Sequence, residues 1–162
     1  MIKFSPDRNL DDVDRTMLRL LQEDGRMSIT ELAQRIALSP AATHARLRAL
    51  EAQKYIASYT AVLDPEKLGY DFTCFIQISF KENVLDTLGE FLDKIRAMPE
   101  VVECYKVTGE YDCIMKVMVH THRDLDRFLT ENLNRMAGVA RTHTSVSVND
   151  VKIHGSIPIP NG

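Results

Sequence analysis

The sequence predicts an α+β protein, in which an N-terminal winged helix-turn-helix is followed by a domain with the element order βαββαβ. Apolar residues recur at helical spacing through the first third of the chain, with capping residues between the helical stretches. The remaining two thirds alternate between strand-like and helix-like patterns. We place the helix-turn-helix with its trailing β segment at residues 1–63, a linker at 64–71 and the second domain at 72–162.

The composition is that of an ordinary globular protein. The chain has 162 residues, of which 44% are hydrophobic and 27% charged, so disorder is not expected. It contains no run of about 18 apolar residues, so no membrane span is predicted. Residues 1–9 lack the pattern of a signal peptide, which favours a cytoplasmic location. The three cysteines, Cys74, Cys104 and Cys113, show no CxxC spacing and are predicted to be reduced core thiols.

The first predicted helix starts after Asp11, which is a suitable N-cap. One stripe of the helix is formed by Val13, Met17 and Leu20 with its neighbour Leu21. Gly25 is expected to end this helix in a left-handed conformation.

Two further helices follow with only a short break between them. Ser28 and Glu31 have the spacing of a capping box, and Ser39-Pro40 places a cap and a first-turn proline at the start of the third helix. This third helix runs to about Gln53. Because the second helix of such a motif crosses the first closely, a small residue is needed there, and Ala33 supplies it.

The rest of the chain reads as strands and helices in alternation. Residues 55–63 alternate in a β-like pattern, and strands are predicted at 72–80, 101–108, 113–120 and from 139 to about 154. Helices are predicted at about 84–95 and after Thr121, the second one ending at Gly138. This order is the ferredoxin-like arrangement, whose sheet has helices on one face and an open face on the other.

A modest basic patch coincides with the third helix. The chain carries a net charge of −3, but the segment from Arg35 to Lys54 holds four basic residues and one acidic residue, Glu51. Small residues at the start of the helix favour entry into a DNA major groove, although charge alone equally fits a solvated helix face. The predicted DNA-contacting residues are Ser39, Pro40, Ala41, Thr43, His44, Arg46, Arg48 and Lys54.

A series of short segments runs in one order from Leu10 to Lys152 and resembles the Lrp/AsnC (leucine-responsive, feast/famine) family of transcription regulators. The segments are Leu10–Arg15, Leu21–Arg26, Glu31–Ala33, Leu38–Pro40, Arg46–Glu51, Ile56, Pro99–Val101, Glu103–Cys104, Thr108–Asp112 and Gly138–Val139. The family usually has glycine where Ala37 and Lys54 stand here. Each replacement costs roughly 1 kcal/mol if the left-handed backbone is kept.

The resemblance implies a DNA-binding regulator whose second domain dimerises, assembles further into octamers and binds an amino acid near a Gly-x-Tyr/Phe-Asp turn. Here that turn is Gly109–Asp112, whose N–H groups are suited to a carboxylate, although a plain hairpin turn has the same composition. Two serines on the last strand favour a small or polar effector. The predicted effector-binding residues are Tyr105, Val107, Thr108, Gly109, Glu110, Tyr111, Asp112, His122, Ser145 and Ser147.

Two other functions are considered. An enzyme is not expected, since no catalytic motif occurs. Siroheme decarboxylases are nevertheless similar to this family, and His120 and His122 are candidate residues for the tetrapyrrole site that such an enzyme needs. A DNA-organising protein of low sequence specificity is the other alternative. No cofactor or metal site is predicted, because the histidines are scattered. The sequence leaves open the effector, the operator, the sign of regulation and the oligomer size.

Overall fold

The computed structural model describes residues 10–81 and 85–160, except for the side chains of residues 85–87. The chain divides into two compact units. The first contains the residues up to Val62 together with those from Lys152 onward, and the second contains Leu63–Val151. In the part of the chain that is described, no helix has both the length and the apolar character needed to cross a membrane.

The first unit contains three helices, α1 (Asp12–Glu23), α2 (Ile29–Arg35) and α3 (Pro40–Ala52). Asp11 caps α1 in a full capping box with Asp14, as its position predicts. Ser39 caps α3, its hydroxyl accepting the Ala42 N–H at 3.2 Å. Ser28 caps α2 in the same way, but Glu31 is paired with Arg35 at 2.9 Å instead of completing a capping box.

The core of this unit is small and is contributed by all three helices. Met17, Leu32 and Leu50 are buried there and contact a ring of partly buried apolar side chains. Ala33 is only 2% exposed, in keeping with its predicted place where α2 and α3 pack closely. Burying one leucine-sized side chain contributes roughly 2 kcal/mol. With three such residues in its core, this unit gains only a small hydrophobic stabilisation.

Two residues directly beside the helices α2 and α3 hold left-handed backbone. Ala37, in the α2–α3 turn, has φ = 54°, and Lys54, just after α3, has φ = 65°. These are the two positions at which the sequence departs from glycine. The left-handed geometry is therefore kept without the residue that adopts it most easily.

One sequence prediction for this unit is wrong, and a second is not met within the described part of the single chain. Gly25 is absent from the left-handed positions, and α1 instead ends at Asp24, whose backbone is extended (φ = −140°). Residues 55–63 form no strand, because a strand requires a hydrogen-bonded neighbour and no described segment of the same chain pairs with them. Tyr59 instead donates a 3.1 Å hydrogen bond to Glu51 of α3.

The second unit begins with a 3₁₀ turn and continues as the predicted alternation of strands and helices. Its elements are the turn (Glu66–Leu68), β1 (Phe72–Phe80), α4 (Leu85–Arg96), β2 (Val101–Lys106), β3 (Cys113–Val119), α5 (His122–Arg127), a π-helical segment (Phe128–Leu133) and β4 (Val139–Val146). Val84, predicted to begin the first of these helices, lies outside the described residues.

All four strands are antiparallel in the order β2-β3-β1-β4, which is the ferredoxin-like topology. The core lies between one face of the sheet and the helices, and its largest residues include Ile76, Met115 and Phe128. The opposite face carries Phe75 and Tyr105, which are 43% and 58% exposed. Alternation along each strand therefore leaves one sheet face open, as predicted.

The ends of the last elements also follow local chemistry. Thr121 and Asp124 form a capping box at α5, and Gly138 has the left-handed φ of 90° expected of a helix stop. The final strand ends at Val146, earlier than the predicted limit near residue 154.

The C-terminal tail, which the sequence analysis assigned to the second domain, packs with the first unit instead. Gln22 of α1 holds the backbone of Ile157 at both sides, accepting its N–H at 2.7 Å and donating to its C=O at 3.1 Å. The first unit is therefore formed by two separate stretches of the sequence.

The left-handed residues generate a stability prediction. Ala37→Gly and Lys54→Gly should each raise the free energy of unfolding by about 0.5 kcal/mol, because relief of about 1 kcal/mol of backbone strain outweighs the greater freedom of glycine in the unfolded chain. Urea denaturation of each variant measures the change. Ala49→Gly in the exposed middle of α3 is the control and should lower stability by about 1 kcal/mol. Destabilisation by all three substitutions would contradict the strain at residues 37 and 54.

Candidate functional site

The first candidate site is the solvent-exposed face of α3. Ser39 and Pro40 fix the start of the helix, and the positions that follow on the exposed side are small, namely Ala41, Ala42 and Ala45. His44 and Arg48 lie among them and are exposed, as is Lys54 just beyond the helix end. A helix with a low N-terminal surface and basic side chains beyond it matches the shape and charge of a DNA major groove.

Thr43 does not belong to this exposed surface. Its side chain is 0% exposed, and its hydroxyl donates a 3.0 Å hydrogen bond to the Ser39 C=O one turn earlier. The prediction that Thr43 contacts DNA is corrected on this ground. Its role is to fix the first turn of α3.

Arg46 is also committed within the protein. One guanidinium nitrogen lies 2.6 Å from Asp11 and 2.8 Å from Asp14, the two residues of the α1 capping box. The pKa of Asp11 is lowered, mainly by the N–H of Asp14 and further by Arg46. The charge of Arg46 thus joins α3 to the start of α1 in this structure, and its contact with DNA stays a prediction.

The second candidate site is the turn between β2 and β3. Gly109 has φ = 127°, a conformation that side chains rarely adopt, and a Cβ atom there would meet no other atom within 4 Å. Glycine is thus required by backbone conformation and not by space. The turn is attached to the end of β1, since Asp112 donates its N–H to Ile78 O and accepts the Phe80 N–H through its carboxylate, both at 2.8 Å.

The structure adds a cation to this turn that the sequence analysis missed. Arg141 of β4 lies 2.8 Å from the carboxylate of Glu110, and its guanidinium sits 5.3 Å from the centre of the Tyr111 ring. Ser79, which pairs with Arg141 across β1 and β4, donates to Glu110 O at 3.3 Å. A basic side chain early in the last predicted strand was the available signal, but it gave no indication of which strands are neighbours.

The predicted effector-binding residues do not form one pocket within a single chain. Val107 and Thr108 lead into the turn, with the Val107 N–H bonded to Asp112 O at 2.9 Å. Ser147 donates to Thr73 O, five residues before Ile78, which places it roughly 17 Å along β1 from Asp112.

The other predicted effector residues lie further along the sheet or at its far end. Ser145 pairs with Phe75 on the open face, which Tyr105 also occupies. His122 follows the far end of β3.

A cavity of about 220 Å³ lies beside His120, just beyond the end of β3. The His120 ring stacks on Tyr70 at 4.2 Å, and its Nδ1 lies 2.7 Å from Gly69 O. Among the described residues, no three His, Cys, Asp or Glu side chains are grouped as a metal site. His120 thus makes local contacts with Tyr70 and Gly69.

Comparison with known sequences gives a match in each unit. Residues 10–51 match the AsnC-type helix-turn-helix domain, and residues 73–157 match the Lrp/AsnC ligand binding domain. The leucine-responsive regulatory proteins of Escherichia coli K12 and Klebsiella pneumoniae are 36% identical over 150 residues, which cover 93% of this chain and 92% of theirs.

Solved structures agree with these matches. A transcriptional regulator from Neisseria meningitidis, determined as a complex with L-Met, superposes with a TM-score of 0.89 at 32% identity, covering 92% of this chain and 96% of that one. AsnC from E. coli gives a TM-score of 0.83 at 28% identity, covering 91% and 97%.

The Arg46 ion pairs predict a pH-dependent stability. Arg46→Gln should lower the free energy of unfolding by about 0.5–1 kcal/mol near neutral pH, since these pairs are partly exposed. The folded-state pKa of Asp11 is lowered. Its contribution is therefore complete above the unfolded value of about 3.9 and is lost as pH falls through the folded value. Denaturation of both proteins between neutral and acid pH should show the difference shrinking toward low pH.

Arg35→Gln is the matched control, because Arg35 makes only an exposed i,i+4 pair with Glu31. Its effect should be about 0.3 kcal/mol. If the loss caused by Arg46→Gln stays constant down to about pH 3, its contribution comes from packing of its aliphatic stem and not from the ion pairs.

Proposed function

Because this chain belongs to the Lrp/AsnC family of DNA-binding transcription regulators with a ligand-binding domain, we propose which of its surfaces contact DNA and effector. The exposed face of α3 contacts the major groove, and the Gly109–Asp112 turn with Arg141 binds an amino acid. The observation that carries the DNA assignment is the run of small exposed residues at the start of α3, followed by Arg48.

On DNA, the parts of α3 have different tasks. Ala41, Ala42 and Ala45 let the helix approach base edges without steric conflict, and His44 and Arg48 reach bases or phosphates. The N-terminus of α3 at Ser39 favours a phosphate oxygen, and Lys54 adds a phosphate contact beyond the far end. Thr43 stabilises the first turn of α3, and Arg46 links α3 to α1 by ion pairs.

For the effector, the turn offers groups of both signs. An α-carboxylate is bound by backbone N–H groups of the turn and by the guanidinium of Arg141, and Glu110 or the second carboxylate oxygen of Asp112 receives the α-ammonium group. Glu110 occupies Arg141 in this structure, so the effector carboxylate replaces an intramolecular one. The Neisseria relative solved with L-Met supports an amino acid as the class of ligand.

The open sheet face supports self-association. Phe75 and Tyr105 are large side chains exposed on the open sheet face. Residues 55–63 alternate like a strand, and no strand among the described residues pairs with them. We assign both to a homodimer, and we propose that dimers assemble further into octamers. A ligand at contacts between dimers then changes the assembly, and with it the set of DNA sites that the α3 helices reach together. The regulated genes are those of amino-acid metabolism or transport, together with the gene that encodes this protein.

The DNA assignment predicts different effects for two neighbouring arginines. Arg48→Gln should weaken binding to the DNA upstream of the protein's own gene by about tenfold and reduce the slope of log affinity against log salt by about 1 per chain bound, because one phosphate or base contact is lost. It should leave thermal stability unchanged. Arg46→Gln should mainly reduce stability. Fluorescence anisotropy over a salt series measures the affinities, and light scattering should give both variants the wild-type oligomer size.

Random DNA of the same length is the control for specificity. The wild-type protein should bind it more weakly than the upstream DNA at matched salt. Equal affinity for the two DNAs would support an architectural role, and an unchanged affinity in Arg48→Gln would remove α3 from the interface.

The effector assignment predicts that the geometry of Gly109 is essential for ligand response. In a thermal-shift screen with the twenty amino acids, one or a few should raise the melting temperature of the wild type. Gly109→Ala should abolish that shift while retaining DNA binding, because alanine does not adopt φ = 127°. Gly89→Ala is the control, since Gly89 lies in α4 with open space around it, and this variant should respond like the wild type.

Two charge variants then test how the ligand is held. Arg141→Gln should raise the dissociation constant of the identified amino acid by about tenfold through the loss of one charged hydrogen bond. Glu110→Gln should lower that constant if Glu110 competes for Arg141, and raise it if Glu110 receives the ammonium group. No change in either variant would place the ligand elsewhere.

A further inference from the structure

Cys104 and Cys113 are brought together by the pairing of β2 with β3. Cys104 lies opposite Met115, and Cys113 lies opposite Lys106, so the two cysteines are diagonal neighbours two residues apart in register. Both lie on the face of the sheet that packs against the helices, since Cys113 belongs to the core and Cys104 packs on it. Diagonal neighbours lie about 7–8 Å apart, and somewhat less between their Cβ atoms. The two cysteine side chains project into the same core and interact there.

The two thiols differ in exposure and acidity. Cys113 is 1% exposed, whereas Cys104 is only partly buried because β2 is an edge strand. Hydrogen bonding between the two thiols lowers the pKa of Cys104. The same bond and burial raise the pKa of Cys113, while Asp112 and Lys106 act on it in opposite directions.

We propose that Cys104 and Cys113 form an oxidation-sensitive dithiol, which a hydroperoxide converts into a disulfide within one chain. The thiolate of Cys104 attacks the peroxide, the O–O bond breaks, and the products are a sulfenic acid and an alkoxide that takes a proton from water. The sulfur of Cys113 then attacks that of Cys104, an S–S bond forms, and water leaves with the thiol proton. Overall, two thiols are oxidised, and one hydroperoxide is reduced to an alcohol and water.

The third cysteine lacks both properties. Cys74 is fully buried on β1, and burial raises the pKa of its thiol. It pairs with Val117, four residues along β3 from Cys113. It therefore serves as a matched control within the same sheet.

The disulfide has a structural consequence beyond the proposed function of the turn. It replaces a non-covalent contact by a covalent S–S bond of about 2.05 Å, which fixes the register of the edge strand β2 on β3. Cys113 directly follows Asp112, so the bond closes the base of the hairpin that carries Gly109–Asp112. Oxidation thereby limits the movement of that hairpin.

Tryptic mapping of the full chain tests the proposal directly. Cleavage after Arg96, Lys106 and Lys116 places Cys104 in peptide 97–106 and Cys113 in peptide 107–116, and Cys74 falls in a third peptide. After brief exposure to a small excess of hydrogen peroxide and blocking with an alkylating agent, the first two peptides should appear as one disulfide-linked species. Reduction should separate them. Independent alkylation of the two peptides, or linkage of either to the Cys74 peptide, would overturn the proposal.

Serine variants assign the two roles. Cys113→Ser should trap Cys104 as a sulfenic acid that dimedone labels, and Cys104→Ser should give neither the label nor the disulfide. Cys74→Ser should form the disulfide like the wild type. If Cys113→Ser does not fold, the tryptic map of the wild type still decides the question.

The hydrogen bond between the thiols has its own test. Loss of the Cys113 donor should return Cys104 toward an ordinary thiol, whose smaller thiolate fraction is partly offset by its greater nucleophilicity, so alkylation at pH 7 should be roughly threefold slower in Cys113→Ser. At alkaline pH, where Cys104 is ionised in both the wild type and Cys113→Ser, the difference in rate should disappear. Equal rates at every pH would show that Cys113 does not activate Cys104.

Discussion

The N-terminal unit depends on one tight reversal, the turn that connects α2 to α3. Leu38 donates its N–H to Ala33 O at 3.0 Å, and Ala37 between them holds a left-handed backbone. Because the turn is this short, Ala33 must be small and Thr43 must face inward. The residues of α3 that do not pack against the other helices form its exposed face. The proposed DNA surface is therefore a consequence of how two short helices pack.

The second unit is governed by a different constraint, the one-sided covering of its sheet. Helices bury one face, so the side chains of the other face must be covered by another chain or remain in water. The β2–β3 turn lies at one end of this sheet, attached to β1 by the backbone and carboxylate of Asp112. A ligand at that turn thus acts on an element that is hydrogen-bonded to the sheet.

Local chemistry made much of this predictable from sequence. Ser28, Ser39 and Thr121 mark helix starts by a side chain that bonds a backbone N–H three residues away, which is a property of the sequence itself. The turn at Gly109 is similarly local. The ion pairs of Arg141 and Arg46 were not predicted, because they join distant parts of the sequence. The partner of Arg141 lies 31 residues away, and the partners of Arg46 lie 32 and 35 residues away. Residues 55–63 show the opposite limit, because their alternation favours a strand but no strand in the described part of the chain pairs with them.

The contact between Gln22 and Ile157 bears on how the protein is best handled in the laboratory. The tail is held by both backbone groups of one residue against the helix that supports α3. An affinity tag fused at the C-terminus therefore adds mass next to the DNA-binding unit, although in sequence it extends the sensing domain. Comparisons of tagged and untagged protein belong in any measurement of DNA affinity, and removal of the tag by a protease is the safer design.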